Sequence, residues 1–592
     1  MTNTDSRSSG VLRRTVLSGL GALGIAGTVT AKNGGKNGRS SGGPVAADVS
    51  GDDLDSPQER LTAAFQRRKN AAREQLLGHD PAEWTPNRDE RRFGTRAAFT
   101  KGLPHDDLGV GDADAFEALL AALYGDGDFE GIPLGGDRVL ANPQAAHSFD
   151  ISGADSHDLA IPPAPAMDSP EAGAEMATLY WQSLLRDVPF AEYEGNELVA
   201  AAAAELSDIG GYAGATDESG RVTPHLAFRG RLAGSEVGPY LSQFFYHEVP
   251  RGDGFRQVQQ YDVLQADTDY MTTVDEWLAV QRGESPQSLD FYEETPRHLE
   301  TGRDLATYVH RDYPAQAYLD AALILLGLGV PFDENVPSFE KTGLFVDLGF
   351  VDVLDAVVAV SQPALHAAWV QKWLVHRRLR PEAFGGRVHQ HLTGAADYSE
   401  MLPANLLATA ANDGVLENVF QKQGTYLLSQ AYPEGSPTHP SYPAGHSTLA
   451  GACVTVLKAY FDTDIEMPVA VDTPGETDES LTVGGELHKL AENMSIGRDW
   501  SGIHYCEDAN SGYGLGEAVA LAFLVDRTRT YDERYQFDGF TLTTFDGDRV
   551  RITPEGVVPA DGDGNGSGKN SGSEKNRGKN GNGAYGGQNE GY

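Results

Sequence analysis

The chain has 592 residues and carries 86 aspartates and glutamates against 46 lysines and arginines, a formal net charge of −40. Nucleic acids and anionic membrane surfaces need clustered positive charge on a partner, and this balance excludes them. Only 12 residues are lysine, and a hydrated, carboxylate-rich surface of this kind suits work in high salt.

Taken in chain order, Arg13-Arg14 precede a weakly apolar run from Val16 to Val29 and the small residues at Thr30-Ala31. Residues 1–31 therefore read as a Tat-type export signal, cleaved or retained as a tether, and the mature protein is expected to be secreted or at the cell surface. No later run reaches the roughly 20 uninterrupted apolar residues of a membrane span. Residues 32–50 and 561–592, rich in Gly, Asn, Ser and Lys, read as a disordered linker and tail. Helices are expected at Asp114–Leu123, Glu171–Arg186, Asn196–Leu206, Ala315–Leu328, Asp352–Val360, Pro363–Leu379, His446–Tyr460, Glu486–Ile496 and Gly514–Thr530, from their Ala and Leu content and apolar spacing. Strand signal is confined to Phe540–Ile552, a hairpin turning at Asp546-Gly547. The fold class is mainly α, a helical bundle with a minor C-terminal β-hairpin. It divides into an N-terminal helical region (51–220), a catalytic region (221–535) and the hairpin (536–560). The two cysteines, Cys453 and Cys506, build no disulfide framework.

Three clusters between Lys372 and Asp508 carry the chemistry. In the first, Lys372, His376 and Arg380 recur every fourth residue, so a helix over 363–379 would project them from one face, with Pro381 ending it. Arg377 and Arg378 would face solvent or ion-pair partners. In the second, Pro443-Ala444-Gly445-His446 precedes an apolar run, so His446 should open a helix whose N-terminus attracts an anion, and Gly445 lets the backbone approach it. His446 is then placed as a general acid or base. His439 lies upstream in a proline-stiffened loop. In the third, Arg498 and His504 can meet only if the helix breaks between them, at Gly502. His504 and Asp508 then stand four residues apart, where a carboxylate can orient an imidazole. Together the clusters suit a tetrahedral oxyanion, vanadate or phosphate.

The order and spacing of these motifs resemble the vanadium-dependent haloperoxidase and type 2 phosphatidic acid phosphatase superfamily, and within it the algal-type vanadium bromoperoxidases. The likeness includes Trp369-Val370-Gln371-Lys372-Trp373, the gap to Arg380, Ser436 through His446, Gly234 through Phe244, and Tyr308-Val309-His310. The resemblance implies vanadate as cofactor, with His504 as its axial metal ligand and Lys372, Arg380, Arg498 and the Gly445 N–H on its oxygens. It further implies Lys372 as a polarising catalytic group, His446 handling the proton of hydrogen peroxide, and Asp508 steadying His504. His439 and Trp369 would line the halide side, with bromide preferred and organic compounds as halogen acceptors, in a homodimer.

One departure bears on the site: Ala444 stands where the family usually has a serine, removing a donor worth about 1–3 kcal/mol. The residues themselves leave two other functions open. The same site could serve a soluble acid phosphatase, with His504 as nucleophile and His446 protonating the leaving group, or an exported vanadate- or phosphate-binding protein.

Overall fold

The computed structural model describes residues 56–78, 82–125, 127–252, 254–286, 291–474 and 479–560. The expected export signal, the 32–50 linker and the 561–592 tail lie outside the described residues. The chain divides into two compact units, residues 1–63 and 64–592. Of the first, residues 56–63 are described and form the start of a helix.

The order of helices is α1 Pro57–Gly78, α2 Asp89–Phe93, α3 Ala113–Leu123, α4 Pro170–Leu185, α5 Glu197–Asp208, α6 Val274–Gln281, α7 Gly302–Tyr308 and α8 Gln316–Leu328. It continues with α9 Phe350–Trp369, α10 Pro381–Leu392, α11 Ala404–Ala408, α12 Val415–Gln423, α13 Gly445–Tyr460, α14 Val483–Trp500 and α15 Cys506–Thr528. The mainly helical class expected from composition is what is found. A short antiparallel pair, β1 Val249–Pro250 and β2 Arg256–Gln257, precedes a C-terminal sheet of β3 Phe540–Thr543, β4 Arg549–Thr553 and β5 Gly556–Pro559. The expected hairpin is β3–β4, pairing Phe540 with Ile552 and Thr543 with Arg549. Strand β5 adds to it and had no sequence signal, because its two valines are exposed and show no alternation.

Helices α9, α13, α14 and α15 pack on one another around the main core. Glycines set the spacing of α13 and α15: a Cβ at Gly451 would stand 2.3 Å from the Tyr513 carbonyl oxygen, and one at Gly516 would stand 2.1 Å from that of Thr448. That closeness also joins the two helix starts, where Ala444 N–H donates to the Asp508 carbonyl at 2.9 Å. A second core, around Phe99, Phe116, Leu119, Leu123 and Trp373, brings the 98–146 segment against the end of α9. Phe99 and Trp373 meet edge to face at 5.6 Å.

The main difference from expectation lies at α9. Asp352–Val360 and Pro363–Leu379 are not two helices, because Pro363 lies inside α9 and the helix runs through it. The combined Phe350–His376 helix is long and apolar enough to cross a membrane by length and composition. Here it packs against α13 and α15. Asp352, Asp355, His366 and Lys372 interrupt its apolar run. Beyond Trp369 the backbone widens into a π-helical turn over Val370–His376, which ends at Arg377 in the left-handed region with φ of 41°. Arg380 is therefore extended, and Pro381 opens α10 as its first residue instead of closing the preceding helix.

Candidate active site

The three sequence clusters converge, but not through the helix face expected for the first. Lys372 lies on the π turn and Arg380 beyond it, and both aim at one acceptor row, the backbone of residues 439–441. Lys372 Nζ donates to the carbonyls of Pro440 at 2.7 Å and Ser441 at 2.6 Å. Arg380 donates from Nε to the His439 carbonyl at 2.9 Å and from Nη1 to the Ile503 carbonyl at 2.8 Å. His376 does not join them. Its ring stands edge-on to Tyr442 at 4.7 Å, and both its nitrogens are buried without a hydrogen-bond partner.

The expected break at Gly502 is present, with φ of +83°, where a residue with a Cβ would be strained. It lets α14 deliver Arg498 and the start of α15 deliver His504 to the same pocket. Arg498 Nη1 donates to the Val309 carbonyl at 2.6 Å, while its Nε is buried and unpartnered. The neighbours of His504 fix its tautomer. The Asp508 carboxylate, 2.8 Å from Nδ1, can only accept, so Nδ1 carries the proton. The Arg380 guanidinium, 3.0 Å from Nε2, can only donate, so Nε2 is the lone pair. This is the form a metal ligand requires.

Burial and neighbouring cations keep His504 and His439 neutral. Burial first, then the Arg380 charge, push His504 well below the usual imidazole range. Burial, Lys372 and Arg380 do the same to His439. Burial and the charges of Arg380 and Arg498 depress the Lys372 ammonium. Arg380 is lowered to about 10, by burial foremost, with Arg498 acting in the same direction. Burial alone would raise the Asp508 pKa, but the Arg378 guanidinium and the His504 contact outweigh it and hold the carboxyl well below its ordinary range. Ser441 Oγ also donates to this carboxylate.

His446 is the second residue of α13. Its Nε2 lies 2.9 Å from Asp312 Oδ1, which leaves Nδ1 free to exchange a proton. Gly445 opens α13, and no side chain caps that N-terminus, Ala444 being its N-cap. On the other flank the Trp369 and His439 rings lie 4.9 Å apart, and the Trp369 indole donates to the Ala141 carbonyl at 3.1 Å. His439 Nδ1 is 3.0 Å from Arg380 Nη2 and 3.1 Å from the Pro440 oxygen, contacts that ask for opposite tautomers. The charge-assisted contact with Arg380 is the stronger, so the proton sits on Nε2.

Several functional neighbours were not found from sequence. Asp312 is one, although it lies two residues after the Tyr308-Val309-His310 motif. Ser441 is another. Of the two settings expected for Arg377 and Arg378, solvent or ion pairing, the structure shows the second: each is 8% exposed, and they pair with Glu90 and with Glu175 and Asp508 respectively. Lys101, from the N-terminal region, anchors the 434–441 loop. Its ammonium bonds Glu382 and the carbonyls of Glu434 at 2.8 Å and Ser436 at 2.7 Å. No cluster of three His, Cys, Asp or Glu side chains that could hold a metal cation occurs among the described residues.

Comparison with known proteins identifies the family. The family model described as the VCPO second helical-bundle domain matches residues 414–532. The chain is 34% identical over 602 residues to the vanadium-dependent bromoperoxidase of Corallina pilulifera, covering 84% of this chain and 99% of that protein. It is 36% identical over 549 residues to the vanadium-dependent bromoperoxidase of Ascophyllum nodosum, covering 86% and 96%. The solved structure of a second, homohexameric vanadate-dependent bromoperoxidase from Ascophyllum nodosum superposes with a TM-score of 0.77 at 28% identity, covering 87% of this chain and 94% of that one. With more than a third of its residues identical to the Ascophyllum protein and nearly the whole length of both relatives covered, the chain belongs to the vanadium-dependent bromoperoxidase family.

Proposed function

We propose that the protein is a vanadate-dependent bromide peroxidase that uses hydrogen peroxide to oxidise halide to hypohalous acid, which then halogenates organic acceptors. The observation that carries the assignment is electrostatic. Lys372, Arg380 and Arg498 are 0%, 1% and 5% exposed, and each is held by backbone carbonyls, with no carboxylate ion pair among the described residues. Buried charge without a counter-charge is costly, so the pocket is complete only with a multiply charged anion. The unpartnered Arg498 Nε and the uncapped N–H groups at Gly445 are further donors for it.

The residues fit vanadate. His504 Nε2 is the lone pair for vanadium, and Lys372, Arg380, Arg498 and the Gly445 N–H would hold the oxygens. Bound vanadate supplies a Lewis-acidic metal that activates peroxide for attack by a halide. Lys372 adds polarising charge, and Asp508 keeps the His504 tautomer. His446, held by Asp312, takes the proton of incoming peroxide at Nδ1. His439 offers Nε2–H, a donor suited to bromide, beside the Trp369 face.

The wider setting is proposed on sequence grounds. The Arg13-Arg14 leader supports Tat export to the cell surface or medium, and the charge of −40 supports work in high salt. We place the catalytic region at 221–535, following the N-terminal helical region. A homo-oligomer is supported by the homohexameric Ascophyllum neighbour, with a homodimer the assembly to which the sequence resemblance points.

The test is bromination of a phenolic dye by purified protein in high salt with bromide and peroxide, before and after vanadate, with phosphate as competitor. Vanadate-dependent turnover suppressed by phosphate is expected. Hydrolysis of a phosphomonoester with no bromination at any vanadate concentration would overturn the assignment in favour of a phosphatase.

A further inference from the structure

Arg378 lies outside the contacts assigned to vanadate, yet it is the side chain that completes the support of His504. Its Nη1 donates to Asp508 Oδ1 at 2.8 Å and its Nη2 to Glu175 Oε2 at 2.6 Å. The guanidinium lies over the Tyr505 ring, 3.8 Å from its centroid, so the fork is fixed in plane as well as in direction. The backbone is fixed too: the Arg378 carbonyl accepts from Ser441 N–H at 3.1 Å. Glu175 is held on its far oxygen by Glu507 N–H at 2.9 Å.

The two oxygens of Asp508 are thereby divided. Oδ1 belongs to Arg378, whereas Oδ2 receives His504 Nδ1 at 2.8 Å, Tyr505 N–H at 3.2 Å and the Ser441 hydroxyl. A carboxylate anchored at one oxygen cannot turn about its Cβ–Cγ bond, so the other oxygen stays aimed at the imidazole. Arg378 differs in kind from Lys372, Arg380 and Arg498: its charge is already balanced by two carboxylates and is not available to an oxyanion.

We propose that Arg378 is a positioning residue for the metal ligand, holding His504 through Asp508 with Nε2 presented as the lone pair. The proposal rests on the reading of His504 as the vanadium ligand and adds a third layer behind it. Outer partners of a metal ligand typically change metal affinity by about 10–100-fold.

The experiment measures vanadate affinity of the vanadate-free full chain by calorimetry, together with the imidazole 15N signals of His504. Arg378→Ala is combined with Glu175→Gln, so that a second buried carboxylate is not left unpaired. Glu175→Gln alone is the control. The double variant should bind vanadate roughly 10–100-fold more weakly than that control, and its His504 signals should show mixed tautomers. Millimolar guanidinium, a mimic of the deleted fork, should recover part of the loss. If the double variant does not fold, Arg378→Lys, which keeps the charge but not the fork, should show weakened affinity with an unchanged circular dichroism spectrum. Vanadate affinity and His504 signals equal to the control in a folded variant would overturn the proposal and leave Arg378 a purely stabilising residue. His504→Ala separates this failure from that of the underlying reading: if it binds vanadate as tightly as the parent, His504 is not the ligand.

Discussion

On one side of the pocket Lys372, Arg380 and His504 are between 0% and 2% exposed, the two cations pinned by carbonyls of residues 439–441 and 503 and the imidazole by Asp508 and Arg380. On the other side His446 keeps 24% of its side chain exposed, paired with a carboxylate that is 5% exposed. The contrast suits the two tasks proposed for the two sides. Donors aimed at an anion gain from a rigid, water-poor setting where they need not reorganise, whereas a group that must take and return protons needs a route to solvent. The two halves meet where α13 and α15 start, locked by the Ala444–Asp508 backbone bond.

If the halves are separable, His446→Ala should have the largest split effect. Turnover of bromide should fall by about 10²–10⁴-fold, the usual worth of a positioned acid or base, while vanadate affinity stays within a few-fold of the parent. Steady-state bromination and calorimetry on the same preparation check this. Parallel losses in both would show that His446 belongs to the anion-holding half.

The next effect tests what keeps the buried half rigid. Lys101 spans more than 330 residues of sequence to reach the loop that supplies the pocket's carbonyls, and Glu382 beside it is 0% exposed. Lys101→Met leaves that carboxylate without its cation and should destabilise the protein by about 3–5 kcal/mol in chemical unfolding. Adding Glu382→Gln should return most of the loss. A change below about 1 kcal/mol for the single variant would mean that the loop is held by packing alone.

These residues also mark where sequence reasoning stopped. The His504–Asp508 pair and its break at Gly502 were legible, because a spacing of four and a glycine with positive φ are local facts. So were the starts of α13 and most of the long helices, whose apolar stripes declare themselves. The geometry of Lys372 and Arg380 was not. A spacing of four was read as α-helix, and nothing in Val370–His376 announces a π turn. For Arg378 only the kind of setting was legible, solvent or an ion pair: its partners lie 130 and 203 residues away, so neither carboxylate can be named until the fold is known. Lys101 fails the same test at greater range.

A smaller effect asks what burial costs in acid. Behind the buried half, His376 is pushed down to about 3, by burial first and then by Arg377 and Arg378. The unfolded chain takes up a proton near pH 6.5 and the folded chain does not. The contribution of this group to stability is therefore complete above about pH 6.5 and is lost as pH falls from there toward the folded value, at up to about 1.4 kcal/mol per unit. His376→Phe removes the proton site while keeping an aromatic ring against Tyr442. The stability of the variant relative to the parent should improve by about 2 kcal/mol between pH 6.5 and 5. Urea unfolding at several pH values reads the difference, and parallel curves would show that His376 is hydrated and free to titrate.

The smallest expected effect falls on the join between the halves. Ala444 is the N-cap of α13, with φ and ψ of −71° and 132°, and offers the first-turn N–H groups no acceptor. A serine there keeps the same backbone and brings an oxygen that can accept from the second or third residue of the helix, worth about 0.5–2 kcal/mol. The same hydroxyl still has its proton to give, and an oxyanion at Gly445 is a ready acceptor. Ala444→Ser should therefore raise thermal stability without vanadate and hold vanadate at least as well as the parent. The two readings separate cleanly, since capping alone raises the melting temperature equally with and without vanadate, while donation to the anion widens the gap between them. Weaker vanadate retention would mean that the hydroxyl crowds the anion, and that this pocket is shaped around the alanine.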